Sequence, residues 1–260
     1  MRLPGRAGPA GPSEARRRIR LRRSGRPTLP RVDPFERYPV RYDRWFARHR
    51  YAYLSELRAV EAVVPPRGRG VEIGVGTGRF AGRLGIRLGV EPSRAMASVA
   101  RRRGVRVVQG VAEALPLADR CVDWAAMITT VCFIDDVTAA FAEAYRVLRP
   151  GGSLVVGLVD RTSALGASYE ANRHLSAFYA VATFYSAPEI ELYLTAAGFR
   201  ELTAVQTLFH RSVEMAAVDP PEAGWGRGAF VVLRGRKSAA PAGGTGSVRG
   251  GFHEADRHWR

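Results

Sequence analysis

The chain has 260 residues, enough for one large domain with or without tails, and 46% of them are hydrophobic, enough for a core. Its apolar runs are strand-sized, shorter than the roughly 18 residues that span a membrane, and we find no N-terminal apolar segment typical of a secretory signal. Two cysteines do not make a disulfide framework. The composition therefore favours a cytoplasmic globular protein without a membrane partner.

The formal charge of +16 would suit a nucleic-acid-binding protein, but it is unevenly distributed. Residues 1–31 carry ten arginines and one glutamate, and residues 236–260 carry five basic and two acidic residues. Both segments lack the apolar content needed for a core. We therefore predict a disordered arm over 1–31, a domain over 32–235 that does not bind nucleic acid, and a disordered tail over 236–260.

Residues 34–63 have helical spacing and many aromatic side chains. Pro65 and Pro66 end this pattern and lead to the first strand. We predict an N-terminal helix here, packed on the sheet through aromatic residues that include Tyr42 and Trp45.

A glycine-rich turn follows the apolar run Val71–Ile73, which contains Glu72. The glycines stand at 74, 76 and 78, between a predicted strand over 71–74 and a predicted helix over 78–84. Glycine allows tight turns and close approach of a ligand to the main chain, and a helix N-terminus suits an anion. A dinucleotide fingerprint has the spacing G-x-G-x-x-G, whereas here the third glycine comes one residue early.

A second carboxylate, Glu91, follows the apolar stretch 86–90. At the end of a second strand it can accept hydrogen bonds from both hydroxyls of a ribose, in NAD enzymes and in methyltransferases alike. Ser93 is a predicted N-cap, Met96 lies one turn into the next helix, and Gly104 ends that helix.

Two further strands are predicted over 105–109 and 122–128, and the segment Gly110 to Leu117 lies between them. Thr129 follows the fourth strand, at the edge of the sheet where ligands bind in open α/β folds. The segment after this strand has neither the Asn/Asp-Pro-Pro-aromatic run nor the Pro-Cys pair of enzymes that methylate nucleic acid bases. We expect Cys132 to be buried and inert.

The second half contains a predicted helix over 137–148 capped by Asp135-Asp136, the turn Leu148 to Gly152, and a strand over 153–159. Residues 160–186 are predicted to form a lid with helical stretches at about 166–180, because long connections usually have a function. A capping box at Ser186 opens a helix over 187–197. The last two strands, 199–209 and 228–235, have no helix between them and must pair antiparallel.

The glycine turn, the segment 110–117 and the Leu-Arg-Pro-Gly-Gly turn resemble those of class I S-adenosylmethionine (SAM) dependent methyltransferases, in particular the ubiquinone-biosynthesis-like type 11 domain. The resemblance covers about residues 35–235. It implies a Rossmann-like α/β fold with a seven-stranded, mostly parallel sheet, an antiparallel last strand and helices on both faces. It also implies that the N-terminal helix caps the cofactor pocket and that the lid covers the acceptor.

The resemblance implies SAM as the cofactor and assigns its binding residues by motif. Val111 stands where the family has an aspartate for the adenine amino group, so that contact must come from Glu113, a backbone carbonyl or water. The residues implied in cofactor binding are Glu72, Gly74, Gly76, Gly78, Glu91, Met96, Ala112, Glu113, Thr129 and Tyr42.

Methyl transfer needs a general base only when the nucleophile arrives protonated. Asp160, His174 and His210 are candidates by residue type alone, so the catalytic residues stay undefined, and the spacing of potential ligands predicts no metal site.

The sequence thus predicts a SAM-dependent methyltransferase acting on a small-molecule acceptor. The alternatives are an RNA or protein methyltransferase that uses the basic arm, an NAD-binding oxidoreductase, and a SAM-binding protein without catalysis. Loss of activity on deleting residues 1–31 would favour the first alternative.

Overall fold

The computed structural model describes residues 31–210 and 215–239. The predicted arm up to residue 30 and the predicted tail from residue 240 lie outside these described residues.

A single sheet of eight strands organises the domain, in the order β3-β2-β1-β4-β5-β8-β6-β7. The strands are β1 (Gly70–Ile73), β2 (Leu88–Val90), β3 (Arg106–Val108), β4 (Val122–Ile128), β5 (Leu148–Val159), β6 (Arg200–Thr207), β7 (Glu222–Ala223) and β8 (Phe230–Arg236).

The pairing confirms a mostly parallel sheet with a reversed strand near one edge. Strands β1 to β5 pair in parallel, and β8 inserts antiparallel between β5 and β6. The predicted number of seven strands is wrong by one: β7, of two residues, adds an antiparallel edge to β6. A strand of that length cannot show the alternating pattern by which strands are recognised.

Helices cover both faces of the sheet. They are α1 (Asp33–Arg37), α2 (Pro39–Arg48), α3 (Arg50–Glu61), α4 (Arg79–Leu84), α5 (Arg94–Arg102), α6 (Val137–Val147), α7 (Ala164–Ala171) and α8 (Ala187–Ala196).

The single predicted N-terminal helix is in fact three short ones. Tyr38 and His49 leave helical geometry, with φ of −129° and −112°. Tyr38 precedes Pro39, whose ring disfavours the helical conformation of the residue before it.

Side-chain capping confirms the predicted starts of three helices. Ser93 Oγ accepts the Met96 amide, Asp136 Oδ1 accepts the Ala139 amide, and Ser186 forms both bonds of a capping box. These bonds satisfy amides that would otherwise have no partner at a helix start.

The sheet separates two cores, and β4 shows how. Ala125 and Met127 pack on the side of α6 and α8. Trp124, Ala126 and Ile128 pack on the side of α2 to α5. Successive residues of a strand point to opposite faces, so a strand buried on both sides reads as a continuous apolar run.

The connection from β5 to α8 was predicted as a lid with helix at about 166–180. It holds α7 and two 3₁₀ turns, Arg173–Leu175 and Tyr179–Val181. The helix starts earlier than predicted and ends at Ala171.

Candidate active site

The turn after β1 is possible only with glycine. Gly74 and Gly76 have φ of +72° and +54°, a region that costs other residues about 1–2 kcal/mol. A Cβ at Gly74 would lie 2.3 Å from Thr130 Cγ2, whereas a Cβ at Gly76 would first meet Met96 Cε at 3.6 Å. The backbone at Gly76 therefore leaves room for a ligand in front of it.

Glu91 lies at the carboxyl end of β2 and holds this turn in place. Its Oε2 accepts the Gly76 amide at 2.8 Å, and its Oε1 accepts the Ser93 amide at 2.9 Å. Burial raises the pKa of Glu91 to about 7, against the two amide hydrogen bonds, which lower it. A bound nucleoside would meet this carboxyl group where the sequence predicts the ribose.

A small cavity of about 80 Å³ lies in front of the glycine turn. Its walls come from the loops after β1, β2, β3 and β4, which meet at one edge of the sheet, and from the start of the described chain. Eight of the ten predicted cofactor residues line it: Tyr42, Gly74, Gly76, Glu91, Met96, Ala112, Glu113 and Thr129.

The other two predicted residues, Glu72 and Gly78, do not line the cavity. Gly78 is the N-cap of α4 at φ +77°, and a Cβ on it would lie 3.1 Å from Ala100 Cβ of α5. Glu72 is buried, its Oε2 has no hydrogen-bond partner in the described chain, and burial raises its pKa to about 8. Because Glu72 does not line the cavity, its predicted contact with the cofactor stays a prediction.

Glu113 is partly engaged elsewhere. Its Oε1 accepts the backbone amides of Asp135 and Asp136 at 2.9 and 3.4 Å, which ties the loop after β3 to the start of α6. The predicted contact of Glu113 with adenine therefore stays a prediction, and only its second carboxyl oxygen is free of these bonds.

Asp43 of α2 ties the cap helices to the glycine turn. Its carboxylate accepts Thr77 Oγ1 at 2.8 Å, Arg79 Nε at 2.9 Å and Arg103 at 2.8 Å. Burial opposes ionisation, but hydrogen bonds from Arg79, Arg103 and Thr77 hold the pKa of Asp43 at about 2. The sequence analysis gave Asp43 no role; its position beside Tyr42 was the only available signal.

A second, larger cavity of about 510 Å³ lies on the far side of Tyr42. It is enclosed by α2, α3, the loop after β4 and the segment 160–186, and nine aromatic rings line it. Those rings belong to Tyr42, Trp45, Phe46, Phe133, Tyr169, Phe178, Tyr179, Phe184 and Tyr185.

Tyr42, Thr129 and Phe133 line both cavities. Burial raises the pKa of the Tyr42 hydroxyl, so it stays protonated at neutral pH. Thr129 has φ +52°, an uncommon conformation for a β-branched residue that often marks a functional site.

One carboxyl group, that of Glu56 on α3, lines the aromatic cavity. Glu56 is 3% exposed, and burial raises its pKa to about 8. The sequence analysis missed it. The sequence indicates its position only weakly: the spacing of Tyr53, Leu57 and Val60 places Glu56 on the buried face of its helix.

Cys132 also lines this cavity. Burial raises the pKa of its thiol to about 12, so the thiol is protonated, but the residue is partly exposed, whereas the sequence predicted a buried one; its inertness stays a prediction.

The three candidate bases lie away from both cavities. Asp160 Oδ1 accepts from Thr162 and its Oδ2 accepts the Ala187 amide, so it ties the lid to α8. His174 is exposed, and the His210 side chain is 71% exposed and pairs with Asp219 at 3.1 Å. Their positions give no support to a catalytic role for any of the three.

Within residues 31–210 and 215–239, no group of three or more His, Cys, Asp or Glu is placed to hold a metal ion. In the same part of the chain, no helix has the length and apolar character to cross a bilayer.

Comparison with known proteins agrees with this site. A family model described as a methyltransferase domain matches residues 71–156, which include the glycine turn, Glu91 and Thr129. Together with the 54% identical methyltransferase structure described below, this match shows that the chain belongs to the class I SAM-dependent methyltransferases, with SAM as the cofactor. The NAD-binding oxidoreductase considered from sequence is excluded by this assignment.

Individual relatives extend the match over most of the domain. An uncharacterized protein from Methanocaldococcus jannaschii is 39% identical over 206 residues, which are 79% of this chain and all of that protein. A crystal structure from Thermotoga maritima is 54% identical with a TM-score of 0.78, and the match covers 80% of this chain and all of that one. It is described as a SAM-dependent methyltransferase and possible histamine N-methyltransferase.

A third relative has a named acceptor. The malonyl-[acyl-carrier protein] O-methyltransferase of Methylococcus capsulatus is 30% identical over 174 residues, which are 63% of this chain and of that enzyme.

Proposed function

We propose that this protein transfers the methyl group of SAM to a small organic acceptor held in the aromatic cavity. The observation that carries the proposal is the shared wall: Tyr42, Thr129 and Phe133 line both cavities. A cofactor on one side and an acceptor on the other would meet at this wall. The volume of about 510 Å³ falls in the range of small-molecule sites.

The chain's own residues supply binding and alignment. Glu91 would accept hydrogen bonds from the ribose, the bare backbone at Gly76 would lie against the nucleoside, and Met96 and Ala112 would flank the adenine. When bound, SAM supplies a methyl group on a sulfonium, which makes its carbon electrophilic. Holding two reactants in line in a dry site accounts for much of the acceleration in such reactions.

Binding of the cofactor requires a movement. A ligand of this size needs a site of about 300 Å³ or more, whereas the cavity at the glycine turn measures about 80 Å³. Phe35 and Tyr42 close it, with ring centroids 5.7 Å apart. We expect these two rings to shift apart when the cofactor binds, and the lid of 160–186 to cover the acceptor.

Calorimetry with S-adenosylhomocysteine tests the cofactor site. We expect the full chain to bind it, with NAD as a ligand that does not bind. Glu91→Ala should weaken the affinity about 100-fold, because a bidentate contact to a charged group contributes about 3 kcal/mol. Glu61→Ala, on an exposed helix end, is the control that should leave it unchanged. Equal affinity of the wild-type chain and Glu91→Ala would overturn the assignment of this site.

The nature of the acceptor can be tested by truncation. A chain that starts at Arg31 keeps the hydrogen bonds of Arg31 to Val181 and Thr183 and loses the basic segment before it. A small-molecule enzyme should keep full activity, whereas an RNA or protein methyltransferase that depends on the arm should lose it. Transfer of labelled methyl groups to a metabolite extract would exclude a SAM-binding protein without catalysis.

A further inference from the structure

The cavity next to Tyr42 combines an aromatic wall with a single carboxyl group. Glu56 is 3% exposed, yet among residues 31–210 and 215–239 no group hydrogen-bonds to it or pairs with it. A buried carboxyl group without a partner destabilises the folded protein. Its presence in an apolar wall therefore indicates a ligand that would hydrogen-bond to it.

The surroundings of Glu56 define the charge of that ligand. Tyr169 and Tyr179 line the same cavity as Glu56, and the charge of Glu56 is among the causes that raise the pKa of both hydroxyls. Their rings are 4.6 Å apart. Ring faces attract cations, so the carboxylate and the rings favour the same kind of group, an organic ammonium.

The other charged and titratable groups that line the cavity are Arg41, Arg48, His49, Cys132 and Tyr185, besides Tyr42, Tyr169 and Tyr179. Arg41 and Arg48 are exposed on α2. None of these groups alters the pKa of Glu56, which is raised by burial alone. Within residues 31–210 and 215–239, no ion pair joins either arginine to this carboxyl group.

We infer that the acceptor is an amine carrying an aromatic or apolar group, and that Glu56 binds its ammonium and removes the proton before methyl transfer. This inference rests on the proposed function. An ammonium has no lone pair, so the proton passes from nitrogen to a Glu56 carboxylate oxygen. The freed lone pair then forms the bond to the methyl carbon while the carbon–sulfur bond breaks and its electron pair stays on sulfur. The product leaves as the methylated ammonium, and Glu56 gives its proton to water, which restores the carboxylate.

The raised pKa of Glu56 suits this role. At a pKa of about 8 the carboxyl group is a stronger base than an ordinary glutamate and lies closer to the pKa of an amine, which favours proton transfer between them.

The test uses the full chain, Glu56→Gln and the exposed Glu61→Gln on the same helix as the control. The probes are phenethylamine, tryptamine and histamine, with 2-phenylethanol as the uncharged match of the first. We expect at least one amine to bind in calorimetry with S-adenosylhomocysteine present, and to be methylated with SAM, whereas the alcohol does neither. Glu56→Gln should lower kcat/KM for that amine about 100-fold and its affinity about tenfold, with the affinity for S-adenosylhomocysteine unchanged.

The pH profile gives a second readout. For the amine, kcat/KM should rise with pH along a limb with an apparent pKa of about 8, and that limb should be missing in Glu56→Gln. Glu56→Asp keeps a carboxyl group and should restore part of the affinity for the amine. If Glu56→Gln does not fold, Glu56→Asp provides the comparison with the wild-type chain.

The outcomes separate the two proposals. Absence of S-adenosylhomocysteine binding by the wild-type chain would overturn the proposed function. If S-adenosylhomocysteine binds, three other results would overturn only the assignment of Glu56 and of the acceptor class. These are that no amine binds, that Glu56→Gln methylates the amine as efficiently as the wild-type chain, or that the alcohol is methylated as fast as the amine.

Discussion

The two cavities differ in how the chain builds them. The cofactor side is made mostly of short loops that each follow a strand, and those loops carry glycines and carboxylates at fixed spacing. The larger cavity, which we propose holds the acceptor, joins α2 and α3 to the segment 160–186, more than a hundred residues later in the chain, and nine aromatic rings line it. Local chemistry defines the first side, and packing between distant segments defines the second.

Gly74→Ala should have the largest effect, and it should lower both the stability of the chain and its affinity for the cofactor. The new Cβ would lie 2.3 Å from Thr130 Cγ2 at φ +72°, so the turn must move. We expect a loss of about 2–4 kcal/mol in unfolding free energy and no detectable binding of S-adenosylhomocysteine. Denaturant unfolding and calorimetry measure the two effects.

Gly82→Ala is the matched control for this substitution. Gly82 lies in α4 with nothing within 4 Å of a new Cβ, so alanine should stabilise the helix by about 0.5–1 kcal/mol. Similar losses of unfolding free energy in both variants would show that the turn does not require glycine at position 74.

The contrast between the two sides explains what the sequence could predict. The succession of the main strands along the chain, the caps at Ser93, Asp136 and Ser186, and eight residues that line the small cavity follow from patterns a few residues long. Glu56 and Asp43 do not, because their roles depend on which distant segments pack against them. The two-residue β7 and the breaks at Tyr38 and His49 were missed because short elements carry too few residues for a pattern.

Asp43→Asn should have the next largest effect and should weaken the link between the two sides. The amide cannot replace the ionic hydrogen bonds from Arg79 and Arg103, so we expect a loss of about 2 kcal/mol and a lower affinity for S-adenosylhomocysteine. In the wild-type chain the depressed pKa of about 2 means that this stabilisation is present above the unfolded pKa of about 4 and is lost as the pH falls towards 2.

Unfolding measured from pH 6 to pH 2.5 checks this prediction. The difference in unfolding free energy between the wild-type chain and Asp43→Asn should shrink as the pH falls. A constant difference over that range would show that Asp43 acts through packing and not through its charge.

Glu56→Gln should have a smaller effect on stability, of the opposite sign. The pKa of Glu56 rises from about 4 in the unfolded chain to about 8 in the folded one. Below about pH 4 the carboxyl group is neutral in both states and has no effect on stability. As the pH rises from about 4 to about 8, it ionises in the unfolded chain but stays protonated in the folded one, so the unfolding free energy falls, and above about pH 8 it falls no further. Glutamine avoids this cost, so the variant should gain at least about 1 kcal/mol on the wild-type chain between pH 5 and pH 8.5.

Urea unfolding at both pH values, with Glu61→Gln as the exposed control, measures this gain. A buried carboxyl group kept at the expense of stability is typical of a functional residue, since selection for stability alone would remove it. If the gain is absent at pH 8.5, then solvent or another group stabilises the Glu56 charge and the cavity is wetter than its aromatic wall indicates.

His210→Ala should have the smallest effect, and it separates residue type from position. Histidine is the commonest general base, but the His210 side chain is 71% exposed, pairs with Asp219 and lines neither cavity. The rate at which an amine is methylated should stay within about twofold of the wild-type rate, because removing an exposed side chain that lines neither cavity changes stability by about 0.5 kcal/mol or less. A loss of activity comparable to that of Glu56→Gln would assign the general base to His210, in the loop after β6, instead of Glu56 on α3.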